Sequence, residues 1–311
     1  MNIVFLDADT MGNMDLASVF ETLGNYKQYG TTPEDRIIER IQSADVVITN
    51  KVKLGMDVFN QCPDLKLICI AATGMNNIDL EAAQAHNIAV KNVSAYSTES
   101  VAQHTYSLIF ALLNHIRYFD QYVKDKNGYS RSKIFSSFDR EFSEINGKIV
   151  GIVGLGTIGK RVATIAQLFG ARVLYYSTSG INNQTEFERV NLNELLANSD
   201  IISIHAPLNN ATKNLFGITE FKKMKPKSIL VNTGRGGIIN ESDLALALNQ
   251  EYIAGAALDV FEQEPILSEN PLLKISNPDK LILSPHIAWA SIESRERLLK
   301  GILKNIREFY T

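Results

Sequence analysis

The chain has little of several features that mark special classes of protein. Its two cysteines, Cys62 and Cys69, are too few for a disulfide scaffold and favour buried thiols in a reducing cytoplasm. The formal net charge is only −3, so nothing indicates binding to nucleic acid or to an anionic membrane. No apolar run is long enough to span a membrane, and the start MNIVFLDADT is too polar for a signal peptide.

The remaining composition is that of an ordinary globular protein. The chain has 311 residues, of which 45% are hydrophobic and 21% are charged, and its length allows two domains. In the first hundred residues, short apolar runs alternate with helical patterns, which predicts a parallel sheet covered on both faces. The predicted strands span 3–6, 46–49, 67–70 and 88–90, and the predicted helices span 16–23, 34–41, 56–59 and 80–85.

The most informative stretch runs from 147 to 179. An apolar strand pattern at 149–153 leads into Gly154, Gly156 and Gly159, which have the spacing G-x-G-x-x-G. A helical pattern and a second apolar strand pattern at 173–176 follow, which completes a β-α-β unit. In a dinucleotide site the three glycines serve the tight turn, the approach of the backbone to a pyrophosphate and the packing of the helix on the strand. A purely structural turn and the nucleoside loop of a methyltransferase stay open as alternatives.

The second strand of this unit ends in Ser177, Thr178 and Ser179, where an acidic residue would normally bind the ribose hydroxyls. Ser177 removes the repulsion that an aspartate would exert on a 2′-phosphate. No arginine follows in 180–183, and Arg172 is at the far end of the strand. We therefore expect weak discrimination, with NAD working and NADP tolerated.

Two loops of the first domain follow predicted strands and are candidates for ligand contacts. One is Asn50-Lys51-Val52, and the other spans 71–77 and contains Gly74. Small residues in the second loop expose backbone N–H groups, which suit an anion such as a carboxylate. The alternative is a simple turn in which Asn76 or Asn77 caps the next helix.

A long helix is predicted to begin near Thr98 and to continue to 116 as a connector between the domains. We expect His104, inside it, to be packed rather than to be a ligand. The following segment, 125–143, is polar with scattered aromatic residues and has no clear periodicity. It is either an exposed arm or a surface that another subunit covers.

In the second half of the chain, strand patterns at 200–204, 228–231, 255–258 and 281–283 indicate a second doubly wound sheet, and a final helix at 293–310 should pack back on the first domain. Arg235, Glu264 and His286 follow strands on the same side of this sheet. Arginine can bind a carboxylate bidentately, histidine can exchange a proton with a carbonyl oxygen, and a carboxylate can hold that histidine protonated. The set predicts the reduction of a 2-keto acid.

These motifs also carry a resemblance. The segments AATGMNNIDL, STESVAQHTYSL, VGLGTIGK, SIHAPLNNATKNLF, VNTGRGGIINESDLALAL, AALDVFEQEP and SPHIAWASIESR resemble, in order, those of the D-isomer-specific 2-hydroxyacid dehydrogenases. The end of the last segment is most similar to the glycerate dehydrogenase and hydroxypyruvate reductase branch. The resemblance implies an NAD(P)-dependent oxidoreductase acting on the CH–OH group of a small D-2-hydroxy acid.

The implied fold is α/β, with two doubly wound parallel-sheet domains. A Rossmann NAD(P)-binding domain at 99–287 would be inserted in a flavodoxin-like substrate domain at 1–98 and 288–311. The resemblance further implies a cytoplasmic homodimer without bound metal. Because the chain ends at Thr311, we expect it to lack the added regulatory domain of many phosphoglycerate dehydrogenases.

The resemblance assigns catalysis to Arg235, Glu264 and His286. The implied cofactor contacts are Thr98, Val101, Gly154, Gly156, Thr157, Ile158, Gly159, Ser177, Thr178, His205, Ala206, Pro207, Thr212, Thr233, Gly234, Arg235, Asp259, His286 and Ala288, with Asp259 near the nicotinamide amide. The implied substrate contacts are Asn50, Lys51, Val52, Ala72, Thr73, Gly74, Arg235, His286 and Trp289. A redox-sensing regulatory protein of the same fold, which binds NAD(H) without turnover, remains the alternative function.

Overall fold

The computed structural model describes residues 1–182 and 185–311, and in it the chain divides into two compact units. The first unit comprises Met1–Ser97 and Ala290–Thr311, and the second comprises Thr98–Trp289. The domain boundaries expected from the sequence differ from these by one residue at the first junction and by two at the second.

The first unit contains a five-stranded parallel sheet in the order β2-β1-β3-β4-β5. This order is that of flavodoxin-like sheets. Its strands are β1 (Asn2–Phe5), β2 (Asn25–Gln28), β3 (Val46–Thr49), β4 (Leu67–Ile70) and β5 (Ala89–Lys91). Its first helices are α1 (Ala17–Phe20), α2 (Ile37–Ile41), α3 (Met56–Phe59) and α4 (Leu80–Ala85), and the C-terminal helix Ile292–Tyr310 also belongs to this unit.

The second unit contains a seven-stranded parallel sheet in the order β12-β11-β10-β9-β6-β7-β8. The strands are β6 (Ile149–Val153), β7 (Arg172–Tyr176), β8 (Glu188–Arg189), β9 (Ile201–Ile204), β10 (Ile229–Asn232), β11 (Gly255–Leu258) and β12 (Leu281–Leu283). The helices are α5 (Thr98–Leu113), α6 (Ile116–Lys124), α7 (Thr157–Leu168), α8 (Leu192–Asn198), α9 (Ile218–Phe221) and α10 (Glu241–Asn249). The C-terminal helix of the first unit, Ile292–Tyr310, is α11. The strand order reverses between β6 and β9, which is where ligands bind in open sheets of this kind.

The core of the second unit lies on both faces of its sheet. On β6, Ile152 belongs to an apolar cluster with Val162 of α7 and Ala102 of α5, whereas its neighbour Val153 belongs to the cluster on the other side, with Leu195 of α8. Successive strand residues point to opposite faces, so a strand buried on both faces has to be apolar throughout. This explains why the sequence shows its central strands as continuous apolar runs.

Two strands were not predicted from the sequence, and both lie at sheet edges. β2 has the sequence NYKQ and β8 consists of Glu188 and Arg189, so neither carries an apolar run. The helix predicted to run from Thr98 to 116 ends at Leu113, and a second helix that the sequence analysis did not predict, α6, begins at Ile116. His115 takes a left-handed φ of 48° between α5 and α6, although no glycine or proline marks the break.

The segment 125–143 has one short 3-10 turn, Tyr129–Arg131, and no other regular structure. Its phenylalanines are exposed: Phe135, Phe138 and Phe142 keep 93%, 80% and 63% of their accessible surface. None of the helices in residues 1–182 and 185–311 is both long and apolar enough to cross a membrane.

Candidate active site

The glycine loop between β6 and α7 has the geometry that a dinucleotide requires. Gly154 has a φ of +89°, and a Cβ there would lie 2.8 Å from the backbone of Ala206. A Cβ at Gly159 would lie 2.2 Å from the carbonyl oxygen of Gly154, so α7 approaches β6 closely. A Cβ at Gly156 would meet nothing within 4 Å, which leaves open space in front of the first turn of α7. The N–H groups of that turn have no partners inside the helix and suit a phosphate.

Two polar atoms beside this loop are buried without a hydrogen-bond partner among the described residues. They are Oγ of Ser177, which follows β7, and Nδ1 of His205, which follows β9. The His205 ring is tied to Ser203 through Nε2, at 2.8 Å, and burial lowers the pKa of its imidazole to about 3, so the ring is neutral. The other two such atoms, on Ser199 and Arg295, are at the end of α8 and on α11. Buried polar groups are normally satisfied, so the first pair fits a bound polar ligand.

The loop after β7 carries a cation, contrary to the expectation from the sequence. Arg189 of β8 donates to the carbonyl oxygens of Gly180, at 3.1 Å, and Asn182, at 3.3 Å. The side chain of Asn182 donates in turn to the carbonyl oxygen of Leu155 in the glycine loop. The prediction that no arginine lies near this loop was wrong, because the pairing of β8 with β7 brings Arg189 to it. Asn183, which that prediction also considered, is outside the described residues.

The Asn-Thr-Gly-Arg-Gly-Gly segment after β10 forms a tight loop. Asn232 closes it, because its side chain donates to the carbonyl oxygen of Arg235 at 2.9 Å and accepts from the N–H of Gly234 at 3.0 Å. A Cβ at Gly236 would lie 1.7 Å from the carbonyl oxygen of Phe261, so only glycine lets this loop pack against the segment that carries Glu264. Arg235 is exposed and forms no ion pair within the part of the chain that the structure describes.

His286 and Glu264 are paired. Nδ1 of His286 lies 2.7 Å from Oε2 of Glu264, and the other carboxylate oxygen accepts from the N–H of Phe261 at 3.0 Å. The two side chains keep 25% and 31% of their accessible surface. The ring is therefore oriented through Nδ1, and its Nε2 is the nitrogen that can exchange a proton with a substrate.

A buried carboxylate holds the loop of His286 in place. The side chain of Asp259 accepts from the Ser284 hydroxyl, at 2.6 Å, and from the N–H groups of Ile287 and Ala288, at 2.9 and 2.8 Å. His104 bonds the same serine at 3.0 Å, so it is packed as expected. Burial by itself would raise the pKa of the Asp259 carboxyl, but hydrogen bonds from His104, from Ser284 and from the two backbone N–H groups outweigh burial and lower the pKa below its usual range.

Several residues that were predicted to contact the cofactor support loops in this structure. Thr212 is fully buried, and its hydroxyl donates to the carbonyl oxygen of Pro207 at 2.7 Å. Asp259 is also fully buried and has the partners described above. Of the other predicted contacts, Val101, Ala206, Thr233 and Ala288 are buried, Thr98, Ile158, Thr178, His205, Gly234 and Trp289 are half-buried, and Thr157 and Pro207 are exposed.

In the first unit, the loop after β3 is fastened by an aspartate that the sequence analysis did not identify. Asp7 is buried and accepts from the N–H groups of Asn50, at 2.9 Å, and Lys51, at 2.7 Å, while the N–H of Val52 donates to the Thr49 hydroxyl at 3.0 Å. These three backbone N–H groups already have acceptors within the protein, so they do not form an anion site of the kind expected for the loop after β4. The signal in the sequence is the buried strand at the start of the chain, which leads directly into Asp7.

The loop after β4 offers the amides that the first loop lacks. The N–H groups of Ala72, Thr73 and Gly74 have no hydrogen-bond acceptor within residues 1–182 and 185–311. The Thr73 hydroxyl donates to the carbonyl oxygen of Val93 at 3.0 Å, and Asn92 donates to the carbonyl oxygen of Thr73. The segment after β5 therefore fixes the loop without using its N–H groups. Successive free N–H groups suit an anion. No cluster of histidine, cysteine or acidic residues in the described part of the chain could hold a metal ion.

Comparison with known proteins places this site in a family. Residues 106–288 match the model of the D-isomer specific 2-hydroxyacid dehydrogenase, NAD binding domain. The chain is 38% identical to the glycerate dehydrogenase of Methylorubrum extorquens, over 99% of this chain and 95% of the relative. It is 37% identical to the hydroxypyruvate reductase of Blautia hydrogenotrophica, over 99% and 97%.

Among solved structures, an acyclic imino acid reductase in complex with NADPH and D-Arg superimposes with a TM-score of 0.88. It shares 30% identity and covers 100% of this chain and 97% of that one. The family match resolves the alternatives for the glycine loop, because the matched domain binds NAD and not the nucleoside of a methyltransferase. The chain belongs to the D-isomer-specific 2-hydroxyacid dehydrogenase family, and it is an NAD-binding oxidoreductase of hydroxy acids.

Proposed function

We propose that this chain reduces a small 2-keto acid, hydroxypyruvate or glyoxylate, to the D-2-hydroxy acid with a reduced nicotinamide dinucleotide. The 2.7 Å contact between His286 and Glu264 carries the proposal, because it supplies a proton donor with its supporting carboxylate. The names of the relatives, glycerate dehydrogenase and hydroxypyruvate reductase, point to the substrates.

The cofactor supplies or accepts the hydride when it is bound. Gly156 and the first turn of α7 would hold its phosphates, and the buried polar atoms of Ser177 and His205 would donate to or accept from it. His286 donates a proton from Nε2 to the carbonyl oxygen of the substrate and takes one back in the reverse direction. Glu264 stabilises the imidazolium through Nδ1 while it is protonated.

Arg235 binds the carboxylate of the substrate and polarises its carbonyl group. A guanidinium keeps its charge at any working pH and presents a planar fork that matches a carboxylate. The tight loop closed by Asn232 limits the positions that Arg235 can take. The exposed, unpaired state of the side chain among the described residues supports this role, because no carboxylate of the protein competes with the substrate there.

We also propose a cytoplasmic homodimer. The phenylalanines at 135, 138 and 142 are exposed, and a large exposed apolar surface usually marks an interface. Phe142 also lines a cleft of about 300 Å³, together with Phe110, Leu113 and Phe169. In this arrangement the segment 125–143 packs on the nucleotide-binding domain of a second copy. A reducing compartment suits Cys62 and Cys69, which are buried and form no disulfide.

The regulatory alternative has no support from the relatives, which are named as dehydrogenases and reductases. The experiment that separates the two is a panel of hydroxypyruvate, glyoxylate, pyruvate and bulkier keto acids with NADH and with NADPH. We expect turnover of hydroxypyruvate or glyoxylate well above that of pyruvate and the bulkier acids. NADH binding without turnover of any keto acid, together with a stoichiometric partner in a pull-down, would establish the regulatory function instead.

A further inference from the structure

The loop after β7 contacts a cation, Arg189, which lies on the following strand and not in the loop itself. Arg189 is a residue of β8, and its guanidinium donates through two nitrogens to the carbonyl oxygens of Gly180 and Asn182. These bonds place the charge at the loop that begins with Ser177. In a dinucleotide-binding sheet this loop faces the adenosine ribose, because it follows the second strand of the β-α-β unit.

The same loop is tied to the phosphate-binding end of the sheet. Asn182 donates to the carbonyl oxygen of Leu155, and Leu155 lies between the first two glycines of the loop that starts α7. Tyr175 of β7 also donates to the carbonyl oxygen of Asn182, at 3.2 Å. Arg189, Asn182 and the glycine loop are thus joined through hydrogen bonds, so the guanidinium is fixed relative to a pyrophosphate on α7.

Ser177 provides a second, independent observation. It stands where an NAD-specific site carries its acidic residue, and its side chain is neutral and almost completely buried, with 6% of its surface exposed. Its hydroxyl oxygen has no hydrogen-bond partner in the described part of the chain. A buried hydroxyl without a partner loses free energy, so a ligand group that bonds it is favoured there.

The carboxylates near this loop are neutralised by ion pairs, so the charge of Arg189 makes the electrostatic potential at the loop positive. Glu188 is paired with Arg172, and Glu186 with Lys160, so each nearby carboxylate has its own basic partner. Arg189 adds a further positive charge whose contacts include two backbone carbonyl groups. A dianion at this position would gain charge-assisted hydrogen bonds from the guanidinium.

We propose that Arg189 and Ser177 form a site for the 2′-phosphate of NADP(H), so that this chain binds the phosphorylated dinucleotide in preference to NAD(H). The proposal deepens the cofactor specificity of the proposed function. It replaces the expectation of weak discrimination, which rested on the absence of an arginine in 180–183. Arg189 serves both as the closing contact of the loop and as its phosphate ligand.

The test is equilibrium binding of two nucleotides that differ only in the phosphate, adenosine 2′,5′-bisphosphate and 5′-AMP, measured by calorimetry. We expect wild-type protein to bind the bisphosphate about tenfold or more tightly than 5′-AMP, the size expected for a charge-assisted hydrogen bond. In Arg189→Gln this preference should disappear, and in Arg189→Lys part of it should return. Arg172→Gln is the matched control, because Arg172 lies on the adjacent strand and pairs with Glu188; it should keep the preference.

Ser177→Asp tests the position of the phosphate without changing Arg189. A carboxylate at that point should abolish the preference for the bisphosphate, because it repels a dianion. Equal affinity of wild-type protein for both nucleotides would overturn the proposal, and so would a preference that survives Arg189→Gln or Ser177→Asp. If Arg189 only closed the loop, its substitution would weaken both nucleotides equally. The binding test involves no keto acid and no turnover. Its failure would overturn the phosphate site alone, whereas failure of the activity panel would overturn the proposed function.

Discussion

His286 occupies a backbone conformation that its surroundings have to enforce. Its φ is 54°, which a histidine adopts at a cost in free energy. Its N–H donates to the carbonyl oxygen of Asp259 at 2.8 Å, and the carboxylate of Asp259 accepts from the next two N–H groups. The buried aspartate therefore fixes the direction in which the imidazole projects, while Glu264 fixes the orientation of its ring.

At this scale the first prediction concerns Glu264→Gln. The amide can keep a hydrogen bond to His286 but no longer favours the protonated ring by its charge. We expect the pH optimum for keto-acid reduction to move to lower pH, because the variant has lost the adjacent negative charge that favours the protonated ring. Rate profiles of both proteins between pH 5 and 9 measure the shift, and an upward movement would show that Glu264 does not hold the acid form.

The second residue-scale prediction concerns Arg235→Lys. The lysine keeps the charge but loses the planar fork, so kcat/KM for a keto acid should fall by about tenfold or more. For an aldehyde without the carboxylate, the kcat/KM of the wild-type protein should already be low, and Arg235→Lys should change it little. An unaltered kcat/KM for the keto acid in Arg235→Ala would exclude Arg235 from carboxylate binding.

At the scale of elements, the sequence predicted the strands and helices that have a clear local pattern of apolar residues. Continuous apolar runs identified nearly every central strand, because strands covered on both faces must be apolar. The polar edge strands β2 and β8 were missed for the same reason. Arg189 was missed with β8, since the pairing of β8 with β7 brings it to the loop after β7. Asp7 was missed because its partners are more than forty residues away.

The break between α5 and α6 shows another limit of local pattern. Apolar positions continue through it, and neither residue at the break, Asn114 or His115, is a strong helix breaker. By contrast, the sequence allowed Arg235, Glu264 and His286 to be proposed as one set, because each follows a strand of one parallel sheet. The distance of 2.7 Å between two of them could not be predicted, because it depends on how two loops pack.

The element-scale prediction concerns the close approach of two loops at Gly236. In Gly236→Ala the new methyl group would lie 1.7 Å from the carbonyl oxygen of Phe261, so the loop of Arg235 or that of Glu264 has to move. A displacement of about 1 Å can lower the rate about a hundredfold. We expect kcat/KM to fall by this order. Gly55→Ala is the control, because its methyl group would meet nothing closer than 3.8 Å and its φ is negative; it should leave kcat/KM nearly unchanged.

At the scale of the whole molecule, the two units have different sheet orders and separate cores. Within the second unit, α6 buries none of its residues completely, and the aromatic segment that follows it is exposed. We propose that a second copy of the chain covers this surface.

The corresponding prediction is that the protein sediments as a dimer at micromolar concentration. Replacing Phe135 and Phe138 by aspartate should shift it towards the monomer, because buried charge in an apolar interface is costly. Leu246→Asp, at a partly exposed position on α10, should remain dimeric. A wild-type monomer, or a dimer that survives the double substitution, would show that this segment has another role.

The central claim is that His286 is the proton donor for a reduction carried out on a bound dinucleotide. It is tested most directly by His286→Ala, with hydroxypyruvate turnover and NADH binding measured on the same preparation. We predict a fall in kcat of about 10²–10⁴-fold, the usual effect of losing a general acid, with NADH affinity close to that of the wild type. Turnover within a few fold of the wild type, at full NADH occupancy, would contradict the account.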